Sequence, residues 1–377
     1  MSKLDEAIFQ GSRLRLARTF HGLTLAELGE QVSASRQYMQ RLEGDPGTYP
    51  SKDMLYALAE ILYVEPSFFF EPLVGEVSEE ECHFRKLKTT PQNIRSRALS
   101  YGTIFNQIIL YLEQALELPA INIPKIKVET REDVERAAEN CRKHWKLYLD
   151  APINNMTRTL EHAGCIVTTF NGVSEKIDAF SYFRTRPIVV RNTAKSSTSR
   201  FRFDLAHELG HLVMHNDVEV GDPALEEQAN HFASAFLLPR VAFIQEFPKS
   251  NRVSWSDFLQ IKKRWGVSVQ AIIRRAYDLG LINAVQYRNA NVYISRNNKR
   301  RDEGPETEPK QEPMEIIPVA FEQLGNTYGI TAANVATKLG LKCLILERFG
   351  IFYDNSQPAN TRENIIYLEE HRIIRKR

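Results

Sequence analysis

Two histidines four residues apart, with a glutamate directly after the first, constrain this chain more than any other feature. They are His207 and His211, with Glu208 between them. On a helix, residues i and i+4 lie one turn apart on the same face, so both imidazoles can bind one Zn²⁺. The surrounding run, residues 201–215, is amphipathic and fits such a helix. The spacing therefore predicts a zinc-binding pair with Glu208 beside the metal as a general base.

A catalytic zinc site needs a third protein ligand, with the fourth position left to water. His215 lies one further turn along the helix, too far up the axis to bind the same ion. Residues 223–238 predict a second helix, which begins at a proline and ends before another. On it Glu226 is the favoured ligand, because Asn230 follows one turn later and can hold the second nitrogen of a ligand histidine. Glu227 remains the rival ligand, about 100° away around the helix axis.

These residues carry a family resemblance. Arg-Phe-Arg-Phe at 200–203 leads into the histidine motif, and Glu226-x-x-Ala-Asn is followed by Leu-Leu-Pro at 237–239. Together they resemble the ImmA/IrrE-type metallopeptidases over roughly residues 130–245. The resemblance implies a gluzincin-like zinc protease, in a family of which several members cut or inactivate a helix-turn-helix repressor. It identifies no residue that would stabilise the oxyanion. Tyr182, Arg200 and Arg202 are weak candidates, because they are only close to the motif in the sequence.

Composition sets broad limits. With 377 residues the chain is long enough for two or three domains. Its 43% hydrophobic and 25% charged residues are ordinary for a globular protein, and a net charge of +2 gives no general attraction to nucleic acid or membrane. The four cysteines form no C-x-x-C pair, and neither a signal peptide nor a membrane-length apolar run is visible. We expect a soluble cytoplasmic protein that makes no contact with membranes.

The first 72 residues have their own helical pattern. A helix beginning at Thr24 and one beginning after Ser35 are separated by a three-residue turn, which is the helix-turn-helix arrangement. The pattern Leu-Thr-x-x-Glu-Leu, followed by Ser-Arg-Gln and Leu-Glu-Gly, resembles the Xre/Cro family of DNA-binding domains. The resemblance implies that the third helix enters the major groove of double-stranded DNA. The residues that would contact DNA are then Arg36, Gln37, Tyr38, Gln40 and Arg41.

Two observations weaken DNA binding by an isolated monomer. Leu25 stands where the family often has a glutamine that supports phosphate contacts. Residues 1–72 also contain seven Lys or Arg against ten Asp or Glu, which is a poor electrostatic match to DNA. A helix-turn-helix that serves as a protein-docking module is therefore the alternative.

The remaining chain predicts an α+β fold, mostly α. A helix is predicted over 96–118, either as a connector or as a dimer interface. A strand is predicted at 165–170, and a hairpin of 180–183 with 187–191 precedes the zinc helix. The expected domains are 1–75, a helix-turn-helix bundle; 76–125, a basic linker with the connector helix; 126–295, a zincin-like peptidase with a helical extension; 296–315, a flexible linker; and 316–377, a small C-terminal domain of unknown role.

Two functions are consistent with this pattern. The first is a regulatory zinc metallopeptidase with its own DNA-binding module, which acts by limited proteolysis of a repressor or other protein partner in a phage, mobile-element or stress locus. The second is a DNA-binding transcriptional regulator or antitoxin-like protein, whose peptidase domain serves mainly as a sensor or partner-binding surface. Homodimerisation is a further expectation.

Overall fold

The computed structural model describes residues 8–84, 91–171, 179–191, 197–215, 222–249, 253–297, 303 and 305–351. Most of these residues are helical and the described strands form one small sheet, which confirms the predicted α+β, mostly α, class. No helix in the described ranges has the length and apolar character needed to cross a membrane. The basic residues 85–88 and the end of the tail, 352–377, lie outside the description.

The N-terminal part consists of four short helices: α1 Gly11–Phe20, α2 Leu25–Gln31, α3 Arg36–Gly44 and α4 Lys52–Ile61. Thr24 forms a capping box at the start of α2, and the hydroxyl of Ser35 accepts a hydrogen bond from the amide of Tyr38 at the start of α3. Gly29 allows the turn between them, because an added Cβ would lie 2.7 Å from the carbonyl oxygen of Ala34. The helices therefore begin where the sequence predicts.

The long helix α5 Gln92–Ala115 begins and ends a few residues before the predicted 96–118. Its apolar positions face the interior of the same chain: Ile104, Phe105, Ile108 and Leu112 are buried. Tyr101 of α5 stacks on Phe20 of α1, with ring centroids 4.1 Å apart. The helix is thus a central core element, and its apolar stripe is covered within the chain.

The sheet contains β1 Cys82–Phe84, β2 Ile166–Thr169, β3 Ala179–Phe183 and β4 Pro187–Arg191, in the order β1-β3-β4-β2. The predicted strand and hairpin are confirmed as β2, β3 and β4. β3 pairs antiparallel with β4 and with β1, whereas β2 and β4 are parallel. β1 was not predicted, because three residues are too few to show an alternating pattern.

The two faces of the sheet contact two different hydrophobic cores. Phe180, Tyr182 and Ile188 pack into a core shared with the N-terminal helices and α5. Val167 and Val189 point to the opposite core, which belongs to the second half of the chain. That half contains α6 Arg131–His144, α7 Met156–His162, α8 Thr198–Met214, α9 Pro223–Leu237, α10 Arg240–Glu246, α11 Trp255–Trp265, α12 Val269–Asp278 and α13 Ala284–Arg296.

The C-terminal helices return to the N-terminal part. They are α14 Ile316–Tyr328, α15 Ala332–Lys338 and α16 Cys343–Glu347. Val64 and Leu341 form a β-bridge, and the amide of Glu65 donates to the carbonyl of Gly340 at 2.8 Å. Leu324 and Leu346 join the same core as the first four helices.

The segment before α14 contacts the second half of the chain through carboxylates that are buried or partly buried. Lys262, which is fully buried, lies 2.9 Å from Glu303 and 2.5 Å from Glu308. Glu312 pairs with Arg202 and accepts hydrogen bonds from the amides of residues 156 and 157 at 2.9 and 3.0 Å. We call Glu303 and residues 305–315 the acidic strap. Its composition predicts an exposed loop, but these carboxylates can be buried because cations and amides compensate their charge.

Candidate metal centre

The two motif histidines lie on α8, whose first turn is capped by the hydroxyl of Ser197. α9 packs against it, beginning at Pro223 after the N-cap Asp222. Gly210 allows the close approach of the two helices, because an added Cβ there would lie 3.1 Å from the ring of Phe232. The approach brings one face of α9 to the histidine pair.

Three side chains converge at this point. Nε2 of His207 lies 3.4 Å from Oε2 of Glu226, and Nε2 of His211 lies 3.3 Å from Oε1. The two Nε2 atoms are 3.2 Å apart. Among the described residues these three form the group with ligand atoms close enough to hold one metal ion, all within 4.8 Å of one another. Two imidazoles and one carboxylate are a donor set that suits catalytic Zn²⁺ with one position left for water.

The protonation states of these groups at neutral pH also favour the binding of a metal cation. Burial raises the pKa of Glu226, but its hydrogen bonds to His207 and His211 outweigh burial and hold the pKa at about 2. Burial lowers the pKa of His211 to about 4 despite the nearby carboxylate. At neutral pH the carboxylate is therefore ionised and His211 is neutral, which are the forms that bind a metal ion.

Each histidine is oriented by a neighbour through its other ring nitrogen. Nδ1 of His207 lies 3.1 Å from Oδ1 of Asn230, the contact expected from the i+4 spacing to Glu226. Nδ1 of His211 lies 2.9 Å from Nδ1 of His215, whose Nε2 lies 2.8 Å from Oε1 of Gln228. Sequence reasoning excluded His215 as a ligand but missed this supporting role, although its i+4 spacing from His211 was a signal.

We expect the His215→Phe variant to bind Zn²⁺ about 10- to 100-fold more weakly than the parent chain, because His211 loses the partner that fixes its ring and tautomer. Competition with a chromophoric chelator measures the affinity. His162→Phe, at an exposed histidine on α7, is the matched control. Equal zinc affinities for the His215→Phe variant and the parent would contradict this role.

Glu208 follows His207 on α8, and its carboxylate contacts β3 of the sheet. It is buried, and the hydroxyl of Ser181 on β3 donates to its Oε2 at 2.5 Å. This contact fixes the carboxylate beside the histidine pair. Ser181 was not predicted, because nothing in the sequence relates a strand serine to a helix glutamate in space.

The other sequence candidates lie elsewhere. Glu227 is two-thirds exposed and lies 3.7 Å from Arg131, so Glu226 is the carboxylate at the histidines. The hydroxyl of Tyr182 donates to the carbonyl of Gly102 at 3.1 Å on the other face of the sheet. Arg202 is buried in its contact with Glu312. Neither side chain is thus placed to stabilise an oxyanion.

A cleft of about 760 Å³ opens beside Glu226. Glu226 and Asn230 form part of its wall together with Arg200 of α8. The remaining lining residues come from α6, α8, α9 and α12, and Arg274 and Asp278 of α12 pair there at 2.9 Å. Glu226 is therefore accessible from this cleft, whereas His207, His211 and Glu208 are not among its lining residues.

The predicted DNA-contacting residues lie on α3. Arg36, Gln37, Gln40 and Arg41 are exposed, and Tyr38 is half-buried with the guanidinium of Arg41 5.9 Å from its ring centroid. The helix is held from behind by Met39 and Leu42, which are buried. The polar face of α3 is therefore accessible on the surface.

The central part of the chain is similar to one known protein family. Residues 160–277, from within α7 to the end of α12, match the family model of the IrrE N-terminal-like domain, a peptidase family. The matched range contains His207, Glu208, His211 and Glu226. No curated protein matches the chain. The match supports a metal-dependent, peptidase-like role for this part of the chain.

Proposed function

We propose that this protein is a zinc metallopeptidase that acts by limited proteolysis of a repressor or other protein partner. The convergence of His207, His211 and Glu226, with Glu208 one residue beyond the first ligand, carries the proposal. A structural zinc site has four protein ligands and binds no reactive water, so it does not require a general base beside it. The peptidase-family match over 160–277 gives independent support.

The chain's own residues divide the chemistry between them. His207, His211 and Glu226 would hold Zn²⁺, which supplies Lewis acidity toward a carbonyl and lowers the pKa of water. Glu208 takes the proton from the attacking water and returns it to the leaving amine. Ser181 keeps the carboxylate of Glu208 in place, and Asn230 and His215 fix the orientation of the histidines.

Metal content and cleavage test this proposal together. The purified chain should contain one Zn²⁺ per molecule by mass spectrometry. Incubation with the protein products of neighbouring genes should yield defined fragments, and a chelator should abolish their formation. A chain that binds no zinc, or that leaves each of these proteins intact with zinc bound, would remove the enzymatic function.

We further propose that the N-terminal helices bind double-stranded DNA through α3. The exposure of Arg36, Gln37, Gln40 and Arg41 on one helix supports this role. Glu43 of α3 accepts two hydrogen bonds from Arg18 of α1 at 2.5 and 2.8 Å, which fixes α3 within the bundle and leaves the net charge of the bundle unchanged. A regulator whose peptidase-like part serves as a sensor or partner-binding surface is the second candidate, favoured by the same exposed helix.

Arg36→Ala is expected to reduce the discrimination between operator sequences. An arginine at the start of a recognition helix can pair with guanine, and the loss of this pair costs about 1–3 kcal/mol of discrimination against the wrong base. Footprinting on the chain's own upstream DNA measures the change. Lys52→Ala, on α4, is the control. An unchanged footprint with the Arg36→Ala variant would leave α3 with the protein-docking role instead.

A further inference from the structure

The cleft beside Glu226 contains an arginine that has no counter-ion within the described ranges. Three arginines line the cleft: Arg131, Arg200 and Arg274. Arg274 lies 2.9 Å from the carboxylate of Asp278, and Arg131 lies 3.4 Å from the same group. No described residue forms an ion pair or a hydrogen bond with the half-buried guanidinium of Arg200. A guanidinium in this position can donate two hydrogen bonds to a carboxylate from outside the chain.

The carboxylates that line the cleft are engaged with other groups. Glu226 contacts the two motif histidines, and Glu227 lies 3.7 Å from Arg131. Asp204 is buried and has a partner of its own. The charge of Arg200 is therefore left to a ligand.

Two further polar groups without a partner lie in the same cleft. His231 and Ser234, three residues apart on α9, line the cleft and are only 9% and 4% exposed. Neither Nδ1 of His231 nor Oγ of Ser234 has a hydrogen-bond partner in the described part of the chain. Buried polar groups in native proteins are mostly satisfied, because an unsatisfied one costs free energy. These two atoms indicate a polar ligand at the buried end of the cleft.

A buried ion pair fixes the ring of His231 from behind. Its Nε2 lies 2.9 Å from Oε1 of Glu135, and Arg275 donates to both oxygens of that carboxylate. Burial raises the pKa of Glu135, but hydrogen bonds from Arg275 and His231 outweigh burial and hold the pKa at about 2. Since an ionised carboxylate can only accept, Nε2 carries the hydrogen between them. In the neutral ring Nδ1 is then an acceptor, which suits an N–H of a ligand.

We infer that this cleft binds a peptide segment at an acidic residue, Asp or Glu. The side-chain carboxylate of that residue accepts hydrogen bonds from Arg200 and Ser234, and a main-chain N–H of the segment donates to His231. The cleft volume of about 760 Å³ lies in the range of ligand sites. The inference names the class of protein segment that is recognised, and it rests on the proposed function only for the consequence that this segment is cut.

Peptide binding to the full-length chain tests the inference. The background is Glu208→Gln with equimolar Zn²⁺, so that no cleavage interferes. The probes are two pools of short fluorescein-labelled peptides with the same mixed flanking residues, one pool with a central Glu and the other with a central Gln. The Glu pool should bind about tenfold more tightly by fluorescence anisotropy, because hydrogen bonds to a charged group are stronger than those to a neutral amide.

Substitutions in the cleft assign this preference to its residues. Arg200→Gln should abolish the preference for Glu, and Arg200→Lys should restore part of it. Arg264→Gln removes an exposed arginine that pairs with Glu246 at 2.8 Å, so it is the matched control and should keep the preference. Ser234→Ala should reduce the preference about threefold without lowering the free energy of unfolding, because the hydroxyl has no partner within the described ranges.

Free glutarate distinguishes a peptide from a small acid, because it has the carboxylate but no main-chain N–H. It should displace the Glu pool much more weakly than an unlabelled peptide with a central Glu. Displacement at the same concentration would overturn the assignment to a peptide.

The inference is overturned if the two pools bind equally, if neither pool binds, or if the preference for Glu survives the Arg200→Gln substitution. The ratio between the pools is measured without hydrolysis and decides only this inference. A chain that holds no zinc would overturn the peptidase proposal through its metal content, whatever the ratio.

Discussion

Glu208→Gln should retain one Zn²⁺ per chain and lose peptide hydrolysis by roughly 10²- to 10⁴-fold, the usual contribution of a positioned general base. Gln has nearly the same shape and can still accept the hydroxyl of Ser181, so the metal ligands should stay in place. It cannot accept the proton of the attacking water. Fragment formation from the partner protein measures the rate, and mass spectrometry measures the zinc content.

Glu227→Gln is the matched control. Glu227 is adjacent to Glu226 in the chain, and its side chain is two-thirds exposed. It should retain both zinc and hydrolysis. Full hydrolysis by the Glu208→Gln variant would exclude Glu208 as the base. If that variant loses hydrolysis but regulates its locus as the parent does, proteolysis is not the biological role and the sensor function is favoured.

Lys262→Met should lower the free energy of unfolding by about 3–5 kcal/mol, the usual cost of removing one partner of a buried ion pair. Lys262 is fully buried between the carboxylates of Glu303 and Glu308, which would remain with uncompensated charge. Met fills a similar volume, so the loss would come from charge and not from a cavity. Guanidinium denaturation measures the difference between variant and parent.

Lys263→Met provides the comparison, since Lys263 is exposed on the same helix turn. Its stability should lie within about 0.5 kcal/mol of the parent, as is usual for surface substitutions. Equal denaturation midpoints for the Lys262 and Lys263 variants would show that the acidic strap does not depend on this contact.

The convergence of the candidate metal ligands was largely predictable from the sequence because its signals are local. His207 and His211 are one helix turn apart, and Asn230 at i+4 from Glu226 favours Glu226 over Glu227 as the third ligand. Helix starts were predictable for the same reason, since Thr24 and Ser35 cap the turns that follow them. Local periodicity and capping depend on neighbouring residues only.

The missed features depend on residues far apart in the chain. β1 is stabilised as a strand by β3, about a hundred residues later, and its three residues show no pattern alone. The acidic strap contains almost no apolar residues, so nothing in its composition indicates that Lys262 and Arg202 bury its carboxylates. Ser181 is a functional candidate only because the sheet places it against α8.

The aromatic rings around Tyr101 have a consequence for dissecting this protein. Tyr101 stacks on Phe20. Its ring centroid lies 5.1 Å from that of Phe170, beside the sheet, and 5.6 Å from that of Phe349, in the turn after α16. One group of side chains thus joins the first helices, the sheet and the tail. A fragment cut after residue 75 would leave Phe20 without these neighbours and expose apolar surface to water. Functional assays of the α3 surface should therefore use the uncut polypeptide, in which the first helices keep these aromatic neighbours.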